Sequence, residues 1–306
     1  MNTNNIDHPL LLEKFPRGVI ALDLEMTGLS PLNDHIIEIG AIKVTPNVAE
    51  AKIFDQLVSP PVKISSCSKA SSEIHGITDQ MVLGQPKLEV VLPKLFEFVG
   101  TLPIIAHNAK FDVGHLIAAI HRLESAIPNC EVFCSCQLSR ITFRQLNSYS
   151  LDQLAAHLMI TMENHHRAKN DALTSLLIFQ AALKHLGQES KAPSYYLQSR
   201  YCSLSDFNPE NCTLDLPGHL FSLYDYTPRQ QLIEIKYSGG KRKNCFRPVR
   251  PISLLPMPEG NILYAHCLES DLYKSYLLNK IGEVKPLTTA AQNKWEELLL
   301  KRAKNG

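Results

Sequence analysis

The stretch VIALDLEM, residues 19–26, is apolar along most of its length but contains Asp23 and Glu25. A short apolar run of this kind predicts a buried β-strand. Successive strand residues point to opposite faces, so Asp23 and Glu25 share one face, while the leucines beside them point to the other. Neighbouring carboxylates repel each other, and their burial costs free energy unless a cation compensates them. The stretch therefore predicts a buried sheet that carries a site for a hard divalent cation such as Mg²⁺ or Mn²⁺.

The order of the predicted elements indicates an α/β fold. Residues 17–60 read as three strands, and after a serine-rich loop the chain alternates helical patterns with short apolar strands. Strands followed by alternating strands and helices predict a mixed sheet with helices packed on it. We expect this domain to span residues 8–186, with its last helix stopped by Gly187.

The character of the sequence changes in its last third. Residues 187–220 are rich in Ser, Pro, Asn and Tyr, which predicts a linker. Residues 221–290 are β-like, with turn signals at SGG and MPEGN, and residues 291–306 predict a C-terminal helix. Residues 1–185 carry 15 Lys and Arg against 18 Asp and Glu, whereas residues 186–306 carry 16 against 12. An acidic first part and a basic second part indicate different roles.

The composition argues against an exported or membrane-bound protein. No apolar run approaches the roughly 18 residues of a membrane span, and no signal peptide is evident. We therefore expect a cytoplasmic protein in which the eight cysteines are reduced thiols. The closest group, Cys130, Cys134 and Cys136, lacks a CxxC pair and has apolar neighbours, which favours a strand over a zinc site.

Two further carboxylates stand where an apolar helix is predicted to begin. Asp112 follows the apolar segment PIIAHN, and Asp171 precedes the segment ALTSLLIF. Helix N-termini favour negative charge, so both positions can hold a carboxylate at low cost. Taken alone, Asp171 is equally well explained as a helix-capping residue.

Motifs around these acids resemble the DnaQ-like, DEDDh-type 3′→5′ exonuclease superfamily, of the RNase T and proofreading type, over the first 185 or so residues. The motifs are DLEMTGL with Asp23 and Glu25, HNAKFD with Asn108 and Asp112, and HRAKND with His166 and Asp171. The tyrosine form of this family would carry Tyr at the position of Arg167, so the chain resembles the histidine form. Five residues of ideal helix turn through roughly 500°, so we expect His166 to lie before the helix that carries Asp171.

The resemblance implies an RNase H-like sheet and a two-metal exonuclease mechanism. Two divalent cations, Mg²⁺ or Mn²⁺, would be held by four carboxylates, Asp23, Glu25, Asp112 and Asp171. His166, whose ordinary pKa is about 6.5, would act as the general base, and the alternative is an unremarkable surface histidine. The expected partners are 3′ ends of single-stranded DNA or RNA, and the products are nucleoside 5′-monophosphates.

The same resemblance implies residues that hold the terminal nucleotide. They are Met26, Thr27, Gly28, His75, Asn108 and Phe111. Backbone groups of the first three would contact the nucleotide, and His75 belongs to an HGIT loop like one in the family. For Met26 and Phe111 ordinary core packing is the alternative.

Residues 224–287 resemble the WYL domain, a small Sm/SH3-like β module that binds nucleic acid or nucleotides. The matching positions are Tyr237, Arg247, Val249, Pro251, Lys274, Tyr276, Asn279, Lys280 and Ile281. At the name-giving triplet the chain has Asn261-Ile262-Leu263, which keeps only the leucine. The resemblance implies a C-terminal β-barrel and a nucleotide as a possible ligand.

Basic residues of this segment are candidates for phosphate contacts. They are Lys241, Arg242, Lys243, Arg247, Arg250, Lys274 and Lys280. The alternative is a solvated hairpin tip, because charged runs often serve only to solvate an edge.

The leading hypothesis is a metal-dependent 3′→5′ exonuclease, DNA favoured, with a WYL-like accessory module and DNA repair as its setting. An RNA-directed exoribonuclease and a nucleic-acid-binding regulator with an inactive nuclease half are the alternatives. No clamp-binding peptide is evident, so the sequence does not indicate membership of a replicative polymerase. Protein partners are not indicated either.

Overall fold

The computed structural model describes residues 3–46, 48, 50–67, 73–162, 166–189, 191–207, 216–240 and 242–304. The chain divides into two compact units. The first comprises Met1–Thr27 and His35–Asp206, and the second comprises Gly28–Asp34 and Phe207–Gly306.

The first unit is built on a mixed sheet. Its strands are β1 Val19–Met26, β2 Ile36–Val44, β3 Lys52–Leu57, β4 Ile104–Ala106, β5 Glu131–Cys134 and β6 Arg200–Ser203. The strand order is β3-β2-β1-β4-β5-β6. Strand β4 runs parallel to β1 and β5, and the other neighbours are antiparallel. The mixed α/β sheet predicted from the sequence is confirmed.

Helices flank this sheet. The helices described are α1 His8–Lys14, α2 Asp79–Val82, α3 Leu88–Val99, α4 Lys110–Arg122, α5 Ser135–Thr142, α6 Leu151–His157 and α7 Ala168–Gln188. Helix α7 packs on the centre of the sheet, where Ala172 and Leu176 share a buried cluster with Ala21 of β1 and Ile42 of β2. This packing brings the start of α7 to the strand that carries Asp23.

The structure differs from the predicted elements at three places. Part of the predicted linker 187–220 is strand β6, which extends the sheet by pairing with β5. Helix α7 continues through Gly187 to Gln188, because a glycine in a helix costs only about 1 kcal/mol. The strand predicted around Cys130, Cys134 and Cys136 ends at Cys134, and helix α5 begins at Ser135, where the Cys134 thiol accepts a hydrogen bond from the amide of Gln137.

The second unit is an antiparallel sheet followed by a helix. Its strands are β7 Ile233–Tyr237, β8 Cys245–Leu255, β9 Ile262–Cys267, β10 Leu272–Leu277 and β11 Ile281–Pro286, in the order β10-β9-β8-β7-β11. Helix α8, Leu223–Tyr226, precedes the sheet, and α9, Thr289–Lys304, follows it. This second antiparallel sheet lies where the sequence predicts a β-like segment, while closure into an Sm/SH3-like barrel stays a prediction.

The segment Gly28–Asp34, directly after β1, packs as part of this second unit. The hydroxyl of Ser253 donates a hydrogen bond to the carbonyl oxygen of Leu29, and the amide of Leu254 donates to Ser30 Oγ at 2.9 Å. Leu32 lies in the buried cluster of the same unit. A short piece of the first motif is therefore built into the C-terminal unit.

No helix within the described ranges is both long enough and apolar enough to cross a membrane. No two cysteines among the described residues form a disulfide, in line with the expectation of reduced thiols. Cys212 lies outside the described residues.

Candidate active site

The acidic residues predicted from the first and third motifs meet at one point of the first unit. Asp23 and Glu25 lie two residues apart on β1 and so share a face of the sheet, and Asp171 lies in the first turn of α7. Ligand oxygens of these three carboxylates all lie within 4.8 Å of one another. The third motif therefore contributes its carboxylate to this cluster, beyond any role at the helix start.

Asp112 lies against β1 and close enough to Asp23 for its charge to act on that carboxylate. It is buried in the first turn of α4, with 5% of its surface exposed. Its Oδ1 accepts a hydrogen bond from the amide of Leu24 at 3.2 Å, which ties the start of α4 to β1 between Asp23 and Glu25. The carboxylates of Asp112, Glu25 and Asp171 all raise the pKa of Asp23.

Burial dominates the electrostatics of the cluster. It raises the pKa of Asp23 well above its usual range, with the charges of Asp112 and Glu25 adding to the effect. Burial and then the charge of Asp171 raise the pKa of Glu25 to about 8. Burial raises the pKa of Asp112 to about 7. Since only oxygen ligands converge here and their charges repel, the cluster fits a hard divalent cation.

His166 lies before α7, as the sequence predicts. The helix begins at Ala168, and His166 has a positive φ of 61°, a conformation that residues other than glycine adopt infrequently. Its side chain is half-buried. The imidazole of His166, which can accept a proton, therefore belongs to the segment just before the helix that carries Asp171.

His75 lies close enough to the site for the charges of Glu38 and His166 to act on its pKa. It is buried, and its Nδ1 accepts a hydrogen bond from the amide of Ile77 at 2.9 Å. Burial lowers the pKa of His75, while the charge of Glu38 raises it and that of His166 lowers it. Within the described part of the chain, His75 Nε2 is buried without a hydrogen-bond partner.

Met26, Thr27 and Gly28, the predicted nucleotide contacts at the end of β1, differ in burial and in hydrogen bonding. Met26 is half-buried. Thr27 is buried, its amide donates to the carbonyl of His35 at 2.9 Å, and its hydroxyl accepts from the amide of His35 at 3.0 Å. Gly28 has no room for a side chain, because a Cβ would lie about 2.5 Å from the Asp34 carboxylate. The hydrogen bonds of Thr27 thus close the turn after β1.

The second motif supplies a turn and an aromatic ring. Asn108 is exposed and has a φ of 55°, and its carbonyl accepts from the amide of Phe111 at 3.2 Å. Phe111 is half-buried, with the Nζ of Lys110 lying 5.2 Å from the ring centroid. Phe111 is therefore not a fully buried core residue.

Two residues near the site were not among the predicted ones. Glu38 of β2 is completely buried, and Arg167 pairs with it at 2.5 Å. The sequence contains a usable signal for Glu38, because it interrupts the apolar run HIIEIGAIKV just as Asp23 and Glu25 interrupt theirs.

The candidate basic residues of the second unit that the structure describes differ in exposure and in their partners. Lys241 lies outside the described residues, Lys243 and Lys280 are exposed, and Lys274 is half-buried. Arg242 pairs with Glu269 at 2.6 Å. Arg247 donates to the carbonyls of Gly239 and Arg242, at 2.8 and 2.7 Å, and lies over the Tyr237 ring. Arg250 stands three positions further along β8 and so faces the opposite side of the sheet from Arg247.

A buried carboxylate cluster on a mixed α/β sheet, with a histidine five residues before one of its aspartates, is typical of a class of metal-dependent phosphodiester hydrolases. Residues 20–179 match the family model RNase T, described as an exonuclease. This match covers more than half of the chain, and the chain belongs to this exonuclease family. The expected DnaQ-like, RNase T-type exonuclease domain is confirmed.

Curated relatives show the same likeness. The chain is 32% identical over 282 residues to a DNA polymerase III PolC-type of Clostridium perfringens, covering 90% of this chain and 19% of that protein. It is 38% identical over 269 residues to a PolC-type polymerase of Caldanaerobacter subterraneus, covering 85% and 18%. It is 31% identical over 209 residues to the 3′-5′ exonuclease DinG of Bacillus subtilis, covering 65% and 22%. The chain thus spans about a fifth of the length of these relatives.

Proposed function

We propose that this chain is a metal-dependent 3′→5′ exonuclease that removes nucleoside 5′-monophosphates from single-stranded nucleic acid, with DNA as the favoured substrate. The observation that carries the proposal is the meeting of Asp23, Glu25 and Asp171, whose ligand oxygens lie within 4.8 Å of one another. Membership of an exonuclease family supports the same reaction class.

Four carboxylates, Asp23, Glu25, Asp112 and Asp171, would hold two cations, Mg²⁺ or Mn²⁺. The raised pKa values of Glu25 and Asp112, about 8 and about 7, support this assignment, because a cation removes the repulsion that burial imposes. When bound, such cations supply activation of a water molecule and neutralisation of charge on the phosphate.

His166 would accept the proton of the attacking water at its imidazole. The water oxygen forms the new bond to phosphorus, the bond between phosphorus and the 3′-oxygen breaks, and that oxygen takes a proton from solvent. The position of His166 just before α7 supports this role, since the imidazole is half-buried and the same helix carries Asp171 in its first turn.

Binding of the terminal nucleotide would use Met26, Gly28, His75, Asn108 and Phe111. The buried Nε2 of His75, which has no hydrogen-bond partner within the described ranges, supports a polar contact to substrate. The half-buried ring of Phe111 supports stacking on a base or sugar. Thr27 would act by closing the turn through His35.

DNA is favoured over RNA because the relatives are named as PolC-type DNA polymerases and the 3′-5′ exonuclease DinG. An RNA-directed exoribonuclease remains the first alternative, and a regulator with an inactive nuclease half is the second. All five expected catalytic residue types are present, which argues against the inactive form.

We further propose that the second unit is a WYL-like accessory module that binds single-stranded nucleic acid. Arg250 supports this role, because it lies across from His266 on the sheet face that also holds Tyr273. Tyr273 is 62% exposed and stacks on Tyr264, with ring centroids 5.8 Å apart. Exposed aromatic rings beside a cation suit base stacking and phosphate contact. A nucleotide as ligand stays a prediction.

The exonuclease proposal is tested with single-stranded DNA and RNA oligomers of one sequence, labelled at the 5′ end. Each is incubated with Mg²⁺ or Mn²⁺, and with EDTA as a control. Wild type is compared with Asp23→Ala, His166→Ala and the control Glu297→Gln, whose carboxylate pairs with Lys301 on α9. We expect a ladder that shortens from the 3′ end with wild type and the control only.

The outcomes separate the alternatives. Shortening of RNA but not of DNA would select the exoribonuclease. Binding of both oligomers by wild type without shortening would overturn the enzyme proposal and favour the regulator. A ladder that persists in EDTA would contradict the metal requirement.

A further inference from the structure

Glu38 is a buried charge that the reaction scheme above does not use. It lies on β2 with none of its side chain exposed. Strand pairing places it across from Glu25 of β1, and paired residues in neighbouring strands share a face of the sheet. Glu38 therefore belongs to the face that carries the carboxylate cluster.

Among the described residues, the side-chain hydrogen bonds of Glu38 go to the start of α7. Arg167 Nε donates to both carboxylate oxygens, at 3.0 and 3.2 Å, and its Nη2 donates to Oε1 at 2.5 Å. The amide of Ala168 donates to Oε2 at 3.0 Å. Arg167 occupies the N-cap position, but its own side chain makes no cap hydrogen bond. Glu38 thus caps the helix from a neighbouring strand.

The backbone at the same place is tightly packed. Gly40 lies two residues along β2, and a Cβ there would overlap the backbone of Ala168 and Lys169. Lys169 in turn pairs with Asp55 of β3. Two strands of the sheet therefore hold the first residues of α7 at defined positions.

His166 is the residue next to Arg167, and it has a positive φ of 61°. A non-glycine residue in the left-handed region is at higher energy than in the right-handed one, so its surroundings must hold it there. The bidentate ion pair of Arg167 with the buried carboxylate of Glu38 supports this backbone conformation. It does so because the planar guanidinium fixes both the distance and the orientation of the pair.

We propose that Glu38 is a positioning residue of the exonuclease site, acting through Arg167 and the first amide of α7 to place the imidazole of His166. This inference rests on the proposed function, in which His166 is the general base. Glu38 touches neither substrate nor the attacking water in this proposal, and it acts on the reaction through the position of His166.

The test is a double-mutant cycle on the 3′→5′ activity. Glu38→Gln keeps the size of the side chain but removes the charge that binds Arg167. kcat and KM for a single-stranded DNA oligomer are measured for this variant in the wild-type and in the His166→Ala background. We expect kcat to fall by about 10- to 100-fold in the wild-type background, with KM within about twofold, because a misplaced catalytic group loses rate rather than binding.

In the His166→Ala background Glu38→Gln should cause no further loss, since residues that act as one unit are non-additive. Arg167→Met should reproduce the effect of Glu38→Gln, and Arg167→Lys should restore part of the rate. Arg167→Lys keeps a cation beside the fully buried Glu38 carboxylate, so this variant keeps the test usable if Glu38→Gln or Arg167→Met does not fold. Thermal melting establishes the folded fraction of each variant.

Glu131→Gln is the matched control, because it breaks a Glu–Arg pair of the same sheet, with Arg200 at 2.8 Å, and should leave kcat unchanged. Equal losses of kcat in both backgrounds would show a general structural role and overturn the inference. Unchanged kcat in Glu38→Gln and Arg167→Met would overturn it as well. Wild type without 3′ shortening would overturn the proposed function, and the inference with it.

Discussion

Glu25 and Glu38 lie across from each other on the neighbouring strands β1 and β2, on one face of the sheet, yet their charges are treated differently. Glu38 is compensated by Arg167 and the amide of Ala168. The charge of Arg167 also reaches Glu25, but burial and the surrounding carboxylates still raise the pKa of Glu25 to about 8. The protein therefore neutralises the charge of Glu38 itself, whereas Glu25 and its acidic neighbours keep a repulsion that the proposed cation would relieve.

Replacing Asp23 by Asn should lower the 3′→5′ activity and raise the free energy of unfolding. We expect the 3′→5′ activity to fall at least about 100-fold, because a ligand of the cation is lost. Without metal, at pH 7.5, the free energy of unfolding should rise by about 1 kcal/mol or more, because burial and nearby carboxylates penalise ionised Asp23. Chemical denaturation in EDTA checks this, and an unfolding midpoint below that of wild type would contradict it.

The metal-free protein should lose stability as the pH rises. The folded-state pKa values of Glu25 and Asp112, about 8 and about 7, exceed unfolded values of about 4.3 and 3.9. The folded state therefore binds more protons than the unfolded state between about pH 4 and pH 8, and the free energy of unfolding falls across that range.

The gain in melting temperature on adding Mn²⁺ should accordingly grow from pH 5.5 to pH 8, since fewer protons then compete with the cation. Differential scanning fluorimetry with Mn²⁺ or EDTA at matched pH measures this gain. An Asp23→Asn/Asp171→Asn double variant serves as the control and should show almost no gain. An equal gain for wild type at both ends of the pH range would refute the expectation.

Gly40→Ala should destabilise the first unit, because a Cβ would overlap the backbone at the start of α7. Overpacking of this kind costs about 1–3 kcal/mol. Gly187→Ala is the matched control: Gly187 lies near the end of the same helix, with nothing within 4 Å of the added Cβ. It should raise the free energy of unfolding by roughly 0.5–1 kcal/mol. Urea titration of both variants measures these changes in stability. Equal unfolding midpoints for the two variants would contradict the prediction.

His75→Ala should raise KM for single-stranded DNA by about tenfold and change kcat little, because a substrate contact made by Nε2 would be lost. His107→Ala provides a contrast. Both ring nitrogens of His107 already have partners, Ser135 Oγ at 2.8 Å and the Tyr149 carbonyl at 3.0 Å. The variant His107→Ala should therefore lower the melting temperature without changing KM. Steady-state kinetics with a range of oligomer concentrations separates the two, and an unchanged KM for His75→Ala would remove it from the substrate site.

Two basic residues of the second unit should behave differently on substitution. Arg247→Ala should lower the melting temperature, because the guanidinium bridges two hairpin carbonyls and covers Tyr237. Lys243→Ala should leave the melting temperature unchanged and reduce the salt dependence of single-stranded DNA binding by a slope of about 0.7. Fluorescence anisotropy over a salt series measures the slope. The same slope for wild type and Lys243→Ala would exclude Lys243 from phosphate contact.

The features that the sequence predicted well depend on local patterns. The burial of β1 and β2 follows from their apolar runs, and the shared face of Asp23 and Glu25 follows from strand periodicity. The position of His166 before α7 follows from helix geometry.

The features that the sequence did not predict depend on distant partners. Strand β6 has four residues and is stabilised by pairing with β5, about 70 positions earlier, so its own composition carries little signal. The pair of Glu38 with Arg167 joins residues 129 positions apart. Arg247 and Arg250 are both candidates for phosphate contacts in the sequence, and strand alternation places them on opposite faces of the sheet.

The segment Gly28–Asp34 has a practical consequence for dissecting this protein. Its hydrogen bonds with Ser253 and Leu254, and the burial of Leu32, reach across more than 200 positions of the chain. A fragment that ends at Asp206 would retain every carboxylate of the cluster but would leave this segment without its packing partners and would expose an apolar side chain. The first unit therefore cannot be isolated by truncating the chain at one position, because the second unit includes residues from both sides of it.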